Sequence, residues 1–570
     1  MFGLKKGKVV PVRPFHCSVF LAAFLFLLCA LPYPARSCNC TGSGTCYDVI
    51  DEASFDAVPW VSLGPGDTVR IHHRAEPYRR IIGLRSVGTA SDPIRICGVK
   101  GPNGELPVIT GENATPISGY LYSWGTGPGT NIGDYGVILV GRTSLAGDSW
   151  LHSAEHIIIE SLKVEGGHAS NTYTPSGGSP RNFVYGAAGI RVTNGDDITI
   201  RDCEITGNGN GIFLRGDDAS QDATITSDTL IEGNYIYHNG NSGRNTEHNV
   251  YSQGIRPVFQ YNRIGRLRPG NGVEDPAGGT ALKDRSAGAV IRYNWIESGA
   301  RTLDLVEAED ALRVIDDPGY GTDFVYGNIL VNTIDDNDNY IAARTITHFG
   351  ADNMADDDTG DCIRYNPTDR YTCRSGPFQK TQGGPLYYGT LYFYHNTVVI
   401  KDYRTDDNYW TQDMLFEVST SGGTVDARNN IFHIYTPNGN PRLAMMLRYG
   451  TLNLDGTNWI NAGWEPGHWR DWAGTINENV PLITGAVPGF VDTESNAFDL
   501  TKTSAAIDQA SGMAPAVTAV GYTPVMMYQL HQSFMQRTAS GSAMDLGAFE
   551  YFRSNSVINL LLPILLNSGD

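Results

Sequence analysis

The chain has 570 residues, of which 66 are glycine and 18% are charged, and its formal net charge is −19. Abundant glycine with few charges is typical of tight turns on a β scaffold and argues against disorder. The acidic balance favours solubility and argues against nucleic acid as a partner. An anionic substrate would need a local basic patch or bridging cations.

The segment before Cys38 has the pattern of a secretory signal peptide. Basic residues between Lys5 and Arg13 precede an apolar stretch from Val19 to Leu31, and Ala35-Arg36-Ser37 offers small residues for cleavage. The apolar stretch is shorter than a membrane span requires, which disfavours the alternative of an uncleaved anchor. We therefore expect a secreted protein, extracellular, periplasmic or at the cell surface, with residues 1–37 removed near Ser37.

Cysteines in an exported chain can be oxidised to disulfides. Two disulfides are expected near the N-terminus from four cysteines, which are Cys38, Cys40, Cys46 and Cys97. The alternative for the first three is a metal site. Cys362 and Cys373 bracket a polar loop and are a candidate third pair, whereas Cys203 is expected as a buried thiol.

One short phrase recurs along the middle of the chain, with an asparagine between two apolar residues. Its copies are centred on Asn234, Asn262, Asn294, Asn328, Asn396 and Asn430, at steps of 28, 32, 34, 68 and 34 residues. A fixed period of this size marks stacked repeats, and each unit has strand-like alternation without helical periodicity. The sequence therefore predicts an all-β fold: a right-handed single-stranded parallel β-helix of roughly ten coils, its hand following from the preference of parallel crossovers.

The recurring asparagine has a physical role at one corner of every coil. Its amide can hydrogen-bond the backbone and the asparagines above and below it. Leu162 and Cys203 take the same position in two upstream coils. We expect the asparagines to stack in one ladder.

The pattern divides the chain into five parts. After the signal peptide come an N-terminal cap with first coils (38–120), the β-helix (121–440), C-terminal coils with a closing region (441–553), and an apolar tail (554–570). The tail is too short to span a bilayer, and we expect it to cover the open end of the helix, the alternative being a sorting signal.

A long insertion is predicted at 335–388, and insertions in solenoids fall on one face, often the binding face. Its acidic runs are Asp335, Asp336 and Asp338, and Asp356, Asp357 and Asp358. Their oxygens suit Ca²⁺, although the spacing matches no recognised calcium loop. Calcium is the one cofactor that the sequence suggests, and the metal ligands stay unassigned.

Alternation along the strands predicts which polar side chains share a face. If Leu214, Val250, Leu282 and Leu303 stack in the core, the outer face carries Arg215, Tyr251, Lys283 and Asp304. Neighbouring coils lie about 4.8 Å apart, so one sugar chain could reach all four side chains. The alternative is a solvated ladder of cross-strand pairs.

Cations cluster in the same part of the chain. They are Arg244, Arg256, Arg263, Arg266, Arg268, Lys283, Arg285, Arg292 and Arg301, and His248 lies among them. A locally basic surface on an acidic molecule favours an acidic polysaccharide as the substrate. His248 alone is more often a turn or packing residue.

Several phrases resemble a family of secreted bacterial right-handed β-helix proteins, described as polysaccharide-degrading or uncharacterised. They are Glu247-His248-Asn249-Val250-Tyr251, Gly279-Thr280-Ala281-Leu282-Lys283-Asp284-Arg285, and Leu303-Asp304-Leu305. A looser similarity is to the lyase family of chondroitinase B and alginate lyases, which implies a lysine base, an arginine on the next coil and calcium at the uronate. Lys283 matches the lysine, but the next coil has Asp304 and Val306 instead of the arginine.

Three functions are compatible with these residues. The first is β-elimination on a uronate polysaccharide, with Lys283 as base, Arg285 or Arg215 neutralising charge, and Tyr251 or His248 donating to the leaving oxygen. The second is glycoside hydrolysis by Asp304 with Glu307 or Asp284. The third is carbohydrate binding without catalysis.

The first function is the prediction that we carry forward, for a monomeric protein. The catalytic candidates are Lys283, Arg285, His248, Tyr251 and Asp304. The candidates for substrate binding are Arg215, Glu247, Arg301 and Glu307.

Overall fold

Successive turns of the chain stack into three long parallel sheets in the computed structural model. The model describes residues 38–40, 42–119, 127–141, 153–175, 178–216, 225–270, 276–297, 299–308, 311–334, 345–350, 389–405, 413–420, 422–439, 443–448, 450–467 and 474–552. Each regular coil gives one strand to each sheet, in the order sheet 1, sheet 3, sheet 2. The predicted parallel β-helix is confirmed.

The strands of the three sheets are as follows. Sheet 1 contains Cys46–Val49, Thr68–His72, Ile94–Val99, Ala154–Glu160, Gly195–Arg201, Thr226–Ser227, Leu230–Glu232, Val258–Gln260, Val290–Arg292, Thr322–Tyr326, Gly389–Tyr394, Gly423–Arg428, Thr451–Asn453 and Thr475–Asn477. Sheet 2 contains Thr115–Pro116, Arg80–Leu84, Gly136–Val140, Ala188–Val192, Asn210–Leu214, Val250–Ser252, Leu282–Asp284, Arg301–Val306, Thr345–Gly350, Asp413–Val418, Leu443–Arg448 and Glu465–Gly467. Sheet 3 contains Val108–Thr110, Lys163–Glu165, Glu204–Thr206, Tyr235–Tyr237, Arg263–Ile264, Trp295–Glu297, Ile329–Ile334, Thr397–Asp402, Ile431–Tyr435, Trp459–Asn461 and Ile483–Gly485.

Helices and hairpins lie outside these sheets. The helices are Glu52–Ala57, Leu312–Ile315 and Pro515–Ala519, with 3₁₀ turns at Trp60–Ser62 and Ile132–Tyr135. The hairpins pair Thr172–Tyr173 with Arg181–Asn182, Phe490–Asp492 with Ala497–Leu500, and Met526–Gln529 with Ser533–Gln536. No helix in the described part of the chain is long and apolar enough to cross a bilayer.

The asparagine ladder is present at the corner between sheets 1 and 3. Asn294 Nδ2 donates to Asn328 Oδ1 at 3.0 Å, and Asn294 Oδ1 accepts from both the backbone N–H and Nδ2 of Asn262 at 3.0 Å. The same bonds link all the predicted asparagines and continue to Asn458. The residue before each of the six predicted ladder asparagines is left-handed, for example Tyr293 at φ 54°. The tight corner thereby turns the chain while the amide satisfies its buried backbone groups.

Aliphatic columns fill the interior. On sheet 2, Ile212, Val250, Leu282 and Leu303 pair in register and are fully buried. The predicted column had Leu214 in the place of Ile212. The strand Asn210–Leu214 is therefore displaced by two residues from its predicted register. A two-residue displacement keeps every side chain on its face, and alternation alone cannot detect it.

The predicted insertion at 335–388 is interrupted by a strand. Thr345–Gly350 pairs with Arg301–Val306 on one side and Asp413–Val418 on the other, which makes it a regular member of sheet 2. The double step from Asn328 to Asn396 is thus one long coil. The acidic runs at 335–338 and 356–358, together with Cys362 and Cys373, lie outside the described residues.

Coils also continue further than the sequence pattern indicates. Sheet 1 runs through thirteen successive strands, more than the roughly ten coils expected. Strands persist to Ile483–Gly485. The segment after them returns along the ladder corner: Phe534 stacks on Tyr261 at 4.1 Å, and Val525 N–H donates to Tyr293 Oη at 3.0 Å.

The N-terminal cysteines form the two expected bridges. Cys38 pairs with Cys97, and Cys40 pairs with Cys46. Cys203 is a buried free thiol below the first ladder asparagine, as expected. The signal peptide (1–37) and the apolar tail (554–570) lie outside the described residues.

Candidate active site on the outer face of sheet 2

One line of outward-facing side chains crosses seven neighbouring strands of sheet 2. In register order this outer row consists of Arg191, Phe213, Tyr251, Lys283, Asp304, His348 and Glu417. The structure thereby brings together three of the predicted residues, Tyr251, Lys283 and Asp304. Phe213 takes the place predicted for Arg215, because Ile212 rather than Leu214 pairs with Val250.

Asp304 is the centre of the row. Its Oδ2 lies 2.6 Å from Lys283 Nζ, and its Oδ1 lies 3.0 Å from Arg301 Nη1 and 2.7 Å from His348 Nδ1. Burial alone would raise the pKa of Asp304, but the charges of Lys283 and Arg301 and the bond from His348 hold it well below its usual value. Asp304 is therefore a carboxylate, and the imidazole must donate to it.

These side chains are less exposed than expected. Lys283 is 6% exposed, and Asp304 and His348 are 1% exposed. Alternation predicts an outer face correctly, but it does not predict whether that face meets solvent. Replacing Lys283 will therefore affect packing and stability as well as chemistry.

His348 extends the contacts of Asp304 to a further strand. Its Nε2 lies 2.8 Å from Ser419 Oγ. Sequence reasoning missed both residues, because Thr345–Gly350 fell within the predicted insertion and Ser419 follows a strand that no motif marks. A strand could have been predicted there from the alternation of polar and apolar residues in Thr345-Ile346-Thr347-His348-Phe349.

Arg301 joins two carboxylates of the row. In addition to Asp304, its Nη2 contacts Glu417 Oε2 at 3.4 Å. Glu417 was another residue that the sequence analysis did not single out. Arg301 itself was predicted as a substrate contact and lies at the row.

Arg285 and Glu307, both predicted as site residues, contact each other. Arg285 Nη1 donates to the Glu307 backbone oxygen at 2.5 Å and lies 3.6 Å from Glu307 Oε2. Both side chains are almost fully buried. Neutralising a substrate carboxylate with Arg285 would require breaking these contacts.

Asp284 faces the interior and is not available for hydrolysis on the outer face. It pairs in register with Ser252 and Leu305, and its Oδ1 accepts from Ser286 Oγ at 2.7 Å. Burial raises the pKa of Asp284 to about 6. The alternative that combined Asp304 with Asp284 is therefore corrected.

His248 and Glu247 lie beside the row. The His248 ring centroid is 5.6 Å from that of Tyr251, and His248 Nδ1 accepts the Thr280 backbone N–H at 2.9 Å. A neutral His248 consequently carries its proton on Nε2. Glu247 Oε2 lies 3.0 Å from Arg244 Nε, so it positions a cation instead of facing the row.

An arginine and two aromatic rings form the start of the row. The rings of Phe213 and Tyr251 are parallel, with centroids 4.7 Å apart. The guanidinium of Arg191 lies 4.2 Å above Phe213 and 5.1 Å from the Tyr135 ring. Burial, followed by the charge of Arg215, lowers the pKa of Arg191 to about 9. Within the described residues, Arg191 has no carboxylate partner.

The cluster of cations in the sequence is dispersed by the fold. Arg256 bonds Asp228 at 2.6 Å beside sheet 1, Arg292 bonds Gln260 on sheet 1, and Arg263 bonds Glu297 on sheet 3. Coils place residues that are close in sequence on three different faces. The basic character of the site comes instead from Arg191 and Arg215 on successive coils.

A metal centre is not evident in the part of the chain that the structure describes. No group of three or more His, Cys, Asp or Glu side chains there could hold an ion. Carboxylates of the row are occupied by cationic side chains. The calcium prediction rests on acidic runs outside the described residues and stays a prediction.

Comparison of the sequence with protein families and with curated proteins finds no match. Solved structures similar to the fold include pectate lyase Pel9A, with 11% identity, a TM-score of 0.42, and coverage of 88% of this chain and 91% of that one. An alginate lyase from Paenibacillus sp. has 11% identity, a TM-score of 0.36, and coverage of 76% and 99%. A GH136 lacto-N-biosidase from Eubacterium ramulus has 12% identity, a TM-score of 0.31, and coverage of 78% and 68%. The expected resemblance to polysaccharide-degrading β-helix proteins is confirmed among structural neighbours, and similarity at this level concerns the fold alone.

Proposed function

We propose that the protein is a secreted enzyme that binds an acidic polysaccharide along the outer row and cleaves it by β-elimination beside Lys283. The observation that carries the proposal is Arg191, a buried cation without a carboxylate partner among the described residues. It lies on the same row as a cluster of proton-transfer groups. Three strand steps, about 14 Å, separate it from Lys283.

Arg191 is suited to hold an anionic group of the substrate. Burying a charge without a counter-charge is costly, and Arg215 adds repulsion. A substrate carboxylate would relieve both effects, and a guanidinium can bind it through two parallel hydrogen bonds. The stacked rings of Phe213 and Tyr251 continue from this site toward Lys283, and since they cover each other's faces, a sugar ring would contact their edges.

Elimination needs one group to accept a proton and another to donate one. The proton leaves the carbon next to the uronate carboxylate, a double bond forms, the bond to the leaving sugar breaks, and the leaving oxygen takes a proton. Contact with Asp304 favours the ammonium form of Lys283. We therefore assign Lys283 as the donor to the leaving oxygen, a change from its predicted role as base.

We assign Tyr251 as the proton acceptor in its phenolate form, which becomes the neutral phenol when it takes the substrate proton. It precedes Lys283 in the row, and the field of Arg191 reaches its phenol oxygen. Nearby cations stabilise an anionic oxygen. His248, which carries its proton on Nε2 when neutral, lies beside the Tyr251 ring.

Glycoside hydrolysis is the second candidate, because Arg301 contacts both Asp304 and Glu417. These two residues lie two strand steps apart on the row, about 9.6 Å between Cα positions. In such a reaction Asp304, held as a carboxylate, would activate water, and Glu417 would have to be protonated to act as the acid. Contact with Arg301 favours the ionised form of Glu417, which makes this the second candidate.

A substrate screen distinguishes these functions. Purified protein is incubated with alginate, chondroitin, pectate, heparinoids and neutral glycans. Elimination produces the ultraviolet absorbance of an unsaturated uronate, whereas hydrolysis produces reducing ends without it. Lys283→Ala should lower elimination about 100-fold or more. Full activity of this variant, or binding without any product, would contradict the proposal.

A further inference from the structure

His348 connects Asp304 and Ser419 in the arrangement of an acyl-transfer triad. Asp304 Oδ1 lies 2.7 Å from His348 Nδ1, and His348 Nε2 lies 2.8 Å from Ser419 Oγ. Because Asp304 is ionised, it can only accept, so Nδ1 carries the proton. In the neutral ring, Nε2 is then the acceptor for the Ser419 hydroxyl. Such a triad is defined by its geometry and not by its position in a fold.

Asp304 and His348 lie on strands of sheet 2, and Ser419 directly follows the next strand. Asp304 and His348 face each other in register, and the Ser419 backbone N–H donates to Phe349 O at 3.0 Å. All three side chains are at most 1% exposed. Locked partners give the fixed geometry that nucleophilic catalysis requires, and the reaction also requires a substrate to reach the covered Ser419 hydroxyl.

Gly350 leaves the space that the Ser419 hydroxyl occupies. A Cβ at position 350 would lie 2.6 Å from Ser419 Oγ, and the backbone there has a φ of 136°, which strongly favours glycine. The strand that carries His348 therefore ends in the one residue type that admits the nucleophile. Arg301, bonded to Asp304, helps to hold the carboxylate that positions His348.

We propose that Ser419, His348 and Asp304 form a nucleophilic centre that hydrolyses carboxylic esters, including acyl groups carried by a polysaccharide. Ser419 Oγ attacks the carbonyl carbon while its proton passes to His348 Nε2. The bond to the alcohol breaks, and the imidazolium returns the proton to the leaving oxygen. Water then attacks the acyl-serine by the same proton route, which releases the acid and restores Ser419.

A fluorophosphonate probe tests the nucleophile directly in the full chain. Wild-type protein should be labelled at Ser419, identified by mass spectrometry of the peptide, and should hydrolyse 4-nitrophenyl acetate. Both signals should vanish in Ser419→Ala and fall about 100-fold in His348→Gln. Ser170→Ala is the matched control, because Ser170 Oγ also contacts a histidine, His168 Nδ1, at 2.7 Å, but on an exposed turn away from the row.

Two further variants separate this activity from polysaccharide cleavage. Tyr251→Phe should lose elimination and keep the label at Ser419, because Tyr251 lies two strands away from Asp304 in the row. Gly350→Ala should lose the label, since its Cβ displaces the hydroxyl. Folded wild-type protein that takes no label at Ser419, or a label that His348→Gln leaves unchanged, overturns the esterase inference, and neither result bears on elimination by Lys283.

Discussion

Lys283 Nζ and Asp304 Oδ2 lie 2.6 Å apart on adjacent coils, and both side chains are buried. Asp304 is also the acceptor for Arg301 and His348, so one carboxylate organises two cations and an imidazole. The pair thus links the two chemistries proposed for the row. Proton transfer to a sugar oxygen depends on Lys283, and nucleophilic catalysis depends on His348.

Lys283→Ala should destabilise the protein as well as inactivate it. Removing one partner of a buried ion pair costs about 3–5 kcal/mol, and Arg301 and His348, which still contact Asp304, should keep the loss near the lower end. Urea denaturation measures it. Lys283→Arg is the comparison, because it keeps the charge and should recover most of the stability but not the activity. Equal stability of Lys283→Ala and wild type would contradict the buried pair.

Arg191→Ala should weaken binding of an acidic polysaccharide and should also lower kcat, because the charge of Arg191 stabilises the anionic oxygen of Tyr251. Charged hydrogen bonds contribute about 1.5–3 kcal/mol, so KM should rise by roughly 10-fold to 100-fold. Arg263→Ala is the matched control: Arg263 also lies over an aromatic ring, that of Tyr235 at 5.2 Å, but it has a carboxylate partner, Glu297, and lies on sheet 3. Equal effects of the two substitutions on KM would contradict the assignment of Arg191 as the anion-binding residue.

Local patterns in the sequence predict the repeating parts of this molecule. The ladder asparagines and the succession Tyr251, Lys283, Asp304 follow from a fixed period and from alternation, which depend only on neighbours along the strand. The position of Arg215 could not be predicted in this way. The turn before Asn210–Leu214 shifts the pairing register of that strand by two residues, and such a shift leaves every side chain on the same face of the sheet. His348 does not follow either, since an irregular coil length hid its strand.

The burial of individual side chains was the other property that the alternation of residues along a strand could not predict. The outward positions of Lys283 and Asp304 were predicted, but their low exposure depends on the whole fold. The cations around Arg256, Arg263 and Arg292 illustrate the same limit. Three-sided coils send consecutive residues to different faces, so a cluster in sequence did not become a cluster in space.

Asn294→Leu should lower the free energy of unfolding by about 1–3 kcal/mol. The amide of Asn294 accepts the buried Asn262 N–H and donates to Phe259 O at 2.9 Å, and leucine leaves both groups without a partner. Thermal melting and chemical denaturation report the loss. Asn438→Ala, an exposed asparagine that bonds Tyr403 O at 2.9 Å, should change stability little. An unchanged melting temperature in Asn294→Leu would contradict the ladder.

Asp284 should make stability decline as pH rises through the weakly acidic range. Burial raises the pKa of its carboxyl from 3.8 to about 6 in the folded state. Well below pH 3.8 both states are protonated, and Asp284 does not change the free energy of unfolding. Between these values only the unfolded chain ionises, so the folded state loses stability relative to it, by at most about 3 kcal/mol once pH exceeds 6.

Asp284→Asn keeps an oxygen acceptor for Ser286 and has no charge to bury. The variant should therefore match the wild type near pH 3 and exceed its stability at pH 7, as measured by guanidinium denaturation at both values. A difference between the two proteins that stays constant with pH would show that Asp284 does not titrate in this range.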